Sequence, residues 1–232
     1  MFNIQIGTIV RTLAIACIGG TFAGAATFDF TSGTLTKVDQ GITMTAAAFS
    51  LPSSGTFETA LSAFFSGIGT GICNAAEGPV DCGFTNHHIE NQAPGGVDFF
   101  LLKFSTPVDP VSMVLQSWVG SDRDVTMWVG SVANPATFTL AGLTLATMPA
   151  GLTRIDSDTT NNNNPRTVAI GGSTSANILV FGARIGQADD FFKLVSLTVD
   201  PPVNDTATPE PGTLALIGGA LLAIGTYRRR SA

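Results

Sequence analysis

From Thr27 to Asp200 the chain is written in short runs whose side chains alternate in character, each closed by glycine, proline, asparagine or aspartate. Period-two alternation puts successive side chains on opposite faces of a pleated strand, so a chain of this kind is committed to sheets rather than helices. Ile42-Thr43-Met44-Thr45-Ala46, Val125-Thr126-Met127-Trp128-Val129 and Phe138-Thr139-Leu140 follow the pattern of half-buried strands. Phe99 to Phe104, Ile178 to Ala183 and Phe191 to Val199 are more continuously apolar, as expected of strands lying between two layers. Breaks are expected at Thr106-Pro107-Val108-Asp109-Pro110, Gly120-Ser121-Asp122, Asn134-Pro135, Pro149-Ala150-Gly151, Asn161 to Pro165 and Gly171-Gly172. The supply of Gly, Thr, Ser, Val and Phe, with few Lys and Glu, fits strands and turns. About 180 residues are enough for one sizeable core. About eight to ten strands at this spacing predict an all-β fold, an antiparallel β-sandwich of jelly-roll type, with a closed barrel as the alternative.

Charge removes some functions. Between Thr27 and Thr208 there are 7 basic and 16 acidic residues, a net of −9. No basic patch is available to hold nucleic acid, so no nucleic-acid partner is expected.

The two ends are written differently from the middle. Residues 1–26 carry Arg11, an apolar run from Leu13 to Gly20 and the small residues Ala23-Gly24-Ala25-Ala26. This is the layout of a secretory signal peptide, with cleavage expected after Ala25 or Ala26. The run is too short for a lasting membrane span, which takes about 20 apolar residues. At the other end a Pro-rich linker, residues 201–208, precedes Pro209-Glu210-Pro211, an uncharged apolar run over 212–227 and Arg228-Arg229-Arg230. That run reads as a single transmembrane helix of roughly 24 Å, a marginal span for a hydrocarbon core of roughly 30 Å. The arginines would hold it with the preceding domain, residues 27–200, outside.

Pro209-Glu210-Pro211, the apolar helix and Arg228, Arg229 and Arg230, in that order, resemble the PEP-CTERM sorting signal of Gram-negative bacteria that make exopolysaccharide. The same tail is also described as an ice-binding protein C-terminal motif, a label that assigns no activity. The resemblance implies recognition and processing by an exosortase, attachment to the membrane through the tail, and release to the cell surface or beyond. It covers about the last tenth of the chain and is an address, so it leaves the domain's own activity open. An exported structural, adhesive or carbohydrate-binding protein associated with exopolysaccharide is the expectation, with a secreted glycan-acting enzyme as the alternative.

From Ser53 to Gly96 the strand pattern lapses into a Gly-, Asn- and acid-rich stretch holding Cys73 and Cys82. In an exported chain, two cysteines nine positions apart predict a local disulfide. Gly71-Ile72-Cys73-Asn74, Glu77-Gly78 and Cys82, then His87-His88-Ile89-Glu90-Asn91 and Val97-Asp98-Phe99, resemble the ectodomain of many PEP-CTERM proteins, in which Asp usually stands at the position of Glu90. Ser121-Asp122-Arg123-Asp124-Val125 and Ala188-Asp189-Asp190-Phe191-Phe192-Lys193 are similar to later acidic turns of that group. This second resemblance bears on fold and compartment.

Motifs for catalysis are weak. Gly67-Ile68-Gly69-Thr70-Gly71 lacks the spacing of a nucleotide loop and reads as a flexible turn. No G-x-S-x-G elbow is present, and His87 and His88 read as hydrogen-bonding loop residues rather than a base. Asp122/Asp124 and Asp189/Asp190 supply paired carboxylates of the kind glycoside hydrolysis uses, but such residues more often cap turns or hold a structural cation. Trp118 and Trp128 offer a sugar-stacking pair or, more commonly, core aromatics. Asn74, Glu77, Asp81, Glu90, Asn91 and Asp98 share one Gly-rich region, and calcium takes six to eight oxygen ligands of this type. Glu77, Glu90 and Asp98 are therefore candidate ligands of a structural Ca²⁺, against the plainer reading of a solvated loop beside the disulfide.

Overall fold

The computed structural model describes residues 24–77, 82, 87–92, 96–117, 122–158, 164–171 and 175–201. The expected signal peptide up to residue 23, and the linker and sorting tail from residue 202, lie outside them. The strands are β1 (Ala26–Asp29), β2 (Thr36–Asp39), β3 (Ile42–Leu51), β4 (Glu58–Thr59), β5 (Leu61–Phe65), β6 (Gly69–Cys73), β7 (Ile89–Glu90), β8 (Val97–Gln116), β9 (Val125–Gly130), β10 (Leu152–Ser157), β11 (Arg166–Ala169), β12 (Ala176–Ala183) and β13 (Phe191–Asp200). Every pair of these strands joined by a ladder runs antiparallel, and one connected sheet contains them all. The fold is all-β, as the alternation implies, with a single-turn 3-10 helix at Leu145–Thr147.

The 20-residue β8 organises the sheet. Its first half lies between β3 (Leu51↔Val97 to Met44↔Phe104) and β12 (Gly182↔Phe99 to Ile178↔Lys103). Its second half lies between β11 (Leu115↔Arg166) and β13 (Gln116↔Lys193 to Asp109↔Asp200). The expected turn at Thr106 to Pro110 does not form; the strand continues through both prolines. The missing N–H groups are tolerated because this is where β8 changes partners. The register opposite β12 shifts between Lys103 and Val108, and the β13 register shifts at Pro110.

The burial pattern of β8 records that change. Residues 98–102 are buried without interruption, while Val108, Met113 and Leu115 are buried among more exposed neighbours. The larger core gathers side chains from both halves of the sheet: Phe28, Met113, Leu115, Leu197 and Val199 meet Met44, Phe100, Leu102, Met127, Leu179 and Phe181. A second core lies on the far side of the first half, where Phe99, Leu101, Trp128, Ile178 and Val180 are covered by Phe57 and Leu140. Phe99 to Phe104 and Ile178 to Ala183 thus lie between two apolar layers, which is why they read as continuous rather than alternating. Phe138-Thr139-Leu140 is not a strand: it belongs to the long β9–β10 connection, and its alternation reflects Leu140 plugging the second core.

The stretch from Ser53 to Gly96 is not the single loop its composition suggests, because β4, β5, β6 and β7 all lie within it. Gly69-Thr70-Gly71 begins a fully buried strand rather than a flexible turn. A Cβ at Gly71 would strike the backbone of His87 and His88, and one at Gly69 the carbonyl of Leu194. Glycine is needed here because strands approach too closely for any side chain. Gly71→Ala is expected to cost about 1–3 kcal/mol. Gly171→Ala, where a Cβ meets nothing within 4 Å, should stay within about 0.5 kcal/mol of the parent. Urea unfolding of both variants checks the contrast, and equal midpoints would contradict it.

Candidate functional site

The short elements singled out in the sequence fold to one place. Residues 87–91 form a bridge: Ile89 and Glu90 pair with Phe192 and Phe191 of β13, and polar side chains from this segment enter a buried cluster on each side.

The first cluster grows from the end of β6. Cys73 is disulfide-bonded to Cys82, with a Cα–Cα distance of 5.4 Å. The next residue, Asn74, caps its own turn: its Oδ1 accepts from the amides of Ala76 (3.1 Å) and Glu77 (3.3 Å), while Glu77 Oε2 accepts from the Asn74 amide at 2.8 Å. Glu77 Oε1 lies 3.1 Å from His87 Nδ1. Asp98, at 0 % exposure, accepts from Asn74 Nδ2 (3.3 Å) and, at a long 3.4 Å, from the Glu90 amide. Burial raises the Asp98 carboxyl well above the usual range, and the neighbouring Glu90 and Glu77 add to the effect. Glu90 is pushed up to about 7, first by burial and then by the charge of Glu77, with His87 opposing.

The second cluster is built on Asp190. Its Oδ1 accepts from the Asp124 amide (2.8 Å) and its Oδ2 from Asn91 Nδ2 (2.6 Å), while its own amide donates to Asn91 Oδ1 (3.0 Å). Burial pushes Asp190 up to about 6. Asp124, fully buried, takes the Arg166 guanidinium on Oδ1 at 2.8 Å. Arg166 also donates to the Arg123 carbonyl and to Ser157 Oγ (2.9 Å). Between the two clusters the buried Lys193 donates to the His87 carbonyl and sits 5.5 Å from the centre of the Phe65 ring. Desolvation lowers the Lys193 ammonium to about 8.

Of the candidate ligands, Glu77, Glu90 and Asp98 are brought together with Asn74, so the solvated-loop reading does not hold for the described part of the segment. Asn91 faces the other cluster, and Asp81 lies outside the described residues. Oxygens of Glu77 and Asp98 are engaged by protein donors. The sets with ligand atoms within 4.8 Å of one another are Cys73/Glu77/His87, whose sulfur is committed to the disulfide, and Asp122/Asp124/Asp190. The latter has the donor type of a calcium site. Its oxygens, however, already accept from Arg123 N, Arg166, Asp124 N and Asn91. The arrangement is a hydrogen-bonded knot in which Asp124 and Asp190 are fully buried and Asp122 is half-buried.

Both histidines are almost buried: His87 faces Glu77, and the His88 ring packs edge-on against Phe191 at 4.6 Å. Trp128 is a core residue at 4 % exposure, 5.7 Å from Phe99 between ring centres, and so presents no stacking face; Trp118 lies outside the described residues. Arg166 was not singled out in the sequence, although a signal existed. It stands two positions before the buried Val168 in an alternating strand, which places an arginine on an inward face.

The raised carboxylates fix the sign of the pH response. A carboxyl with a higher pKa folded than unfolded binds its proton more tightly in the native state, so its contribution to stability falls as pH rises between the two values. For Glu90 that window runs from 4.5 to about 7, and for Asp190 from 3.8 to about 6. The unfolding midpoint is therefore expected to drop between pH 5 and pH 8, and Glu90→Gln to flatten the drop. A midpoint that rises with pH over this range would contradict the burial of these groups.

The sorting motif Pro209, Glu210, Pro211 with Arg228, Arg229 and Arg230, and the apolar run 212–227, lie outside the described residues. Among the described residues no helix is long and apolar enough to cross a membrane. The PEP-CTERM protein-sorting motif matches residues 207–230. No curated protein and no solved structure matches the chain. The chain therefore carries a PEP-CTERM protein-sorting motif in its tail, and that motif implies export across the inner membrane and sorting by an exosortase-type enzyme.

Proposed function

We propose that this PEP-CTERM protein is a structural or adhesive component of an exopolysaccharide matrix in a Gram-negative bacterium, with carbohydrate binding as its molecular activity. The tail over 212–227 holds it in the membrane as a single helix until processing frees the domain. The domain, a sandwich of jelly-roll type, then remains with the polysaccharide outside. The observation that supports a non-catalytic reading is the state of the carboxylates. Asp98, Asp124 and Asp190 are fully buried and engaged in hydrogen bonds, whereas a glycosidase needs two carboxyls facing one substrate-filled cleft.

The start of the domain bears on processing at the other end. Ala26 opens β1 opposite Val199 and is buried completely. Signal cleavage after Ala25 keeps that residue in the core, so N-terminal sequencing of protein taken from the cell surface should begin at Ala26.

Retention of the domain on immobilised exopolysaccharide, with no release of reducing ends over time, is the expected result. Reducing ends appearing in proportion to protein would replace this reading with a glycan-acting enzyme, and passage through the column without retention would remove carbohydrate binding.

A further inference from the structure

In a domain of net charge −9, positive charge is scarce, and its placement is informative. Among the described residues, Lys37 is set against Asp29, Arg123 against Asp122, Arg166 against Asp124, and Arg154 and Arg184 against Asp156. Lys193 is buried against a backbone carbonyl. Lys103 is the remaining cation. No carboxylate among the described residues lies near enough to perturb it; its ammonium is lowered by desolvation, and its Nζ donates to the Ala136 carbonyl at 3.2 Å. An ammonium has three donors, so two are left for another acceptor.

Lys103 stands where the apolar outer face of the sheet gives out. Along β8 that face carries Phe99 and Leu101, then Lys103 and Ser105; along β3 it carries Phe49 and Ala47, then Thr45 and Thr43. Thr45 is the direct cross-strand partner of Lys103, and Ser105 Oγ accepts from the Thr43 amide at 2.9 Å. The β9–β10 connection caps the apolar part and stops at the polar part. It is clamped there by Asn177, which exchanges two hydrogen bonds of 2.9 Å with the backbone of Val132. What remains open is a groove of about 380 Å³ lined by Thr43, Thr45, Lys103, Ser105, Pro135 and Ala136. That volume is within the range of small-ligand pockets, roughly 300–1,000 Å³.

We propose that this groove binds an acidic saccharide, with Lys103 taking the carboxylate of a uronic-acid unit and the hydroxyls of Thr43, Thr45 and Ser105 taking ring hydroxyls. The inference rests on the carbohydrate-binding function proposed above and adds to it the ligand class and the site. Hydroxyl side chains both donate and accept, which suits sugar hydroxyls, and the Pro135 and Ala136 side chains supply an apolar wall for a ring face. A single ammonium opposite a carboxylate forms a charge-assisted bond in a part-desolvated place, which favours an acidic chain over a neutral one and makes binding fall with salt.

The test uses the processed domain with oligogalacturonate and, as the neutral probe, a dextran oligomer of equal length, measured by calorimetry alongside retention on the exopolysaccharide column. Oligogalacturonate is expected to bind, to weaken as salt is raised, and to lose at least tenfold in affinity in Lys103→Met while Lys103→Arg keeps most of it. Thr45→Val, which leaves the charge in place, is expected to weaken binding several-fold. Unfolding midpoints of the variants establish that each is folded. Retention on the column that is unchanged in a folded Lys103→Met and indifferent to salt would overturn this site while leaving carbohydrate binding standing. Failure of the unmodified domain to bind oligogalacturonate, with retention on the column intact, would overturn the acidic-saccharide site alone, and failure of both would overturn both.

Discussion

Arg166→Leu is expected to destabilise the domain by about 3–5 kcal/mol, the usual cost of stripping one partner from a buried ion pair. The Asp124 carboxylate it serves is fully buried, and the same guanidinium ties the Arg123 carbonyl and Ser157 Oγ together. One substitution therefore loosens β9, β10 and β11 at once. For a domain of this size 1 kcal/mol moves the unfolding midpoint by about 2–4 °C, so the loss amounts to roughly 6–20 °C. A companion Arg166→Leu/Asp124→Leu protein should recover part of it, because the single variant suffers chiefly from the charge left behind. A drop under about 2 °C in Arg166→Leu would mean the knot carries no stability.

Removing the disulfide has the next largest effect. Cys73→Ala/Cys82→Ala opens a loop with a sequence separation of 9, for which the entropy of the unfolded chain alone accounts for about 2–3 kcal/mol. The bond also places Asn74 and Glu77 against Asp98 and His87, so the pH response assigned to Glu90 should weaken in the same variant. Non-reducing peptide maps of protein recovered from outside the cell should show one linked pair. Free thiols at both positions, or a double variant as stable as the parent with an unchanged pH profile, would show that the bridge does not organise the cluster.

Much of the fold was legible because alternation and turn residues report local backbone geometry directly. Val125 to Val129 and Ile178 to Ala183 became strands where their patterns placed them. Thr106 to Pro110 misled because proline marks a turn only when the strand needs its N–H, and β8 changes partners at that point. Gly69 and Gly71 misled for a related reason: permissive backbone and close packing both select glycine, and the choice between them depends on what lies opposite, here Leu194 and His87. Phe138 to Leu140 alternates because one side chain plugs a core, which a loop does as well as a strand.

The site was legible in its parts and hidden in its assembly. Glu77, Glu90 and Asp98 lie close in sequence and share one cluster, Asp98 accepting from Asn74 and the Glu90 amide while Glu77 turns to His87, without forming one ligand set. Asp124 and Asp190, 66 positions apart, meet because residues 122 and 190 pair in parallel next to β7, a contact no local pattern encodes. Lys103 carried no motif at all. It becomes visible when every other Lys and Arg among the described residues has been matched to its partner in space.

Intact-mass measurement of the protein recovered from the cell surface shows whether the tail delivers the domain outside and is then removed. In cells with a working exosortase the recovered protein is expected to begin at Ala26 and to lack Arg228, Arg229 and Arg230. A surface protein whose mass includes the whole tail through Ala232 would contradict this processing.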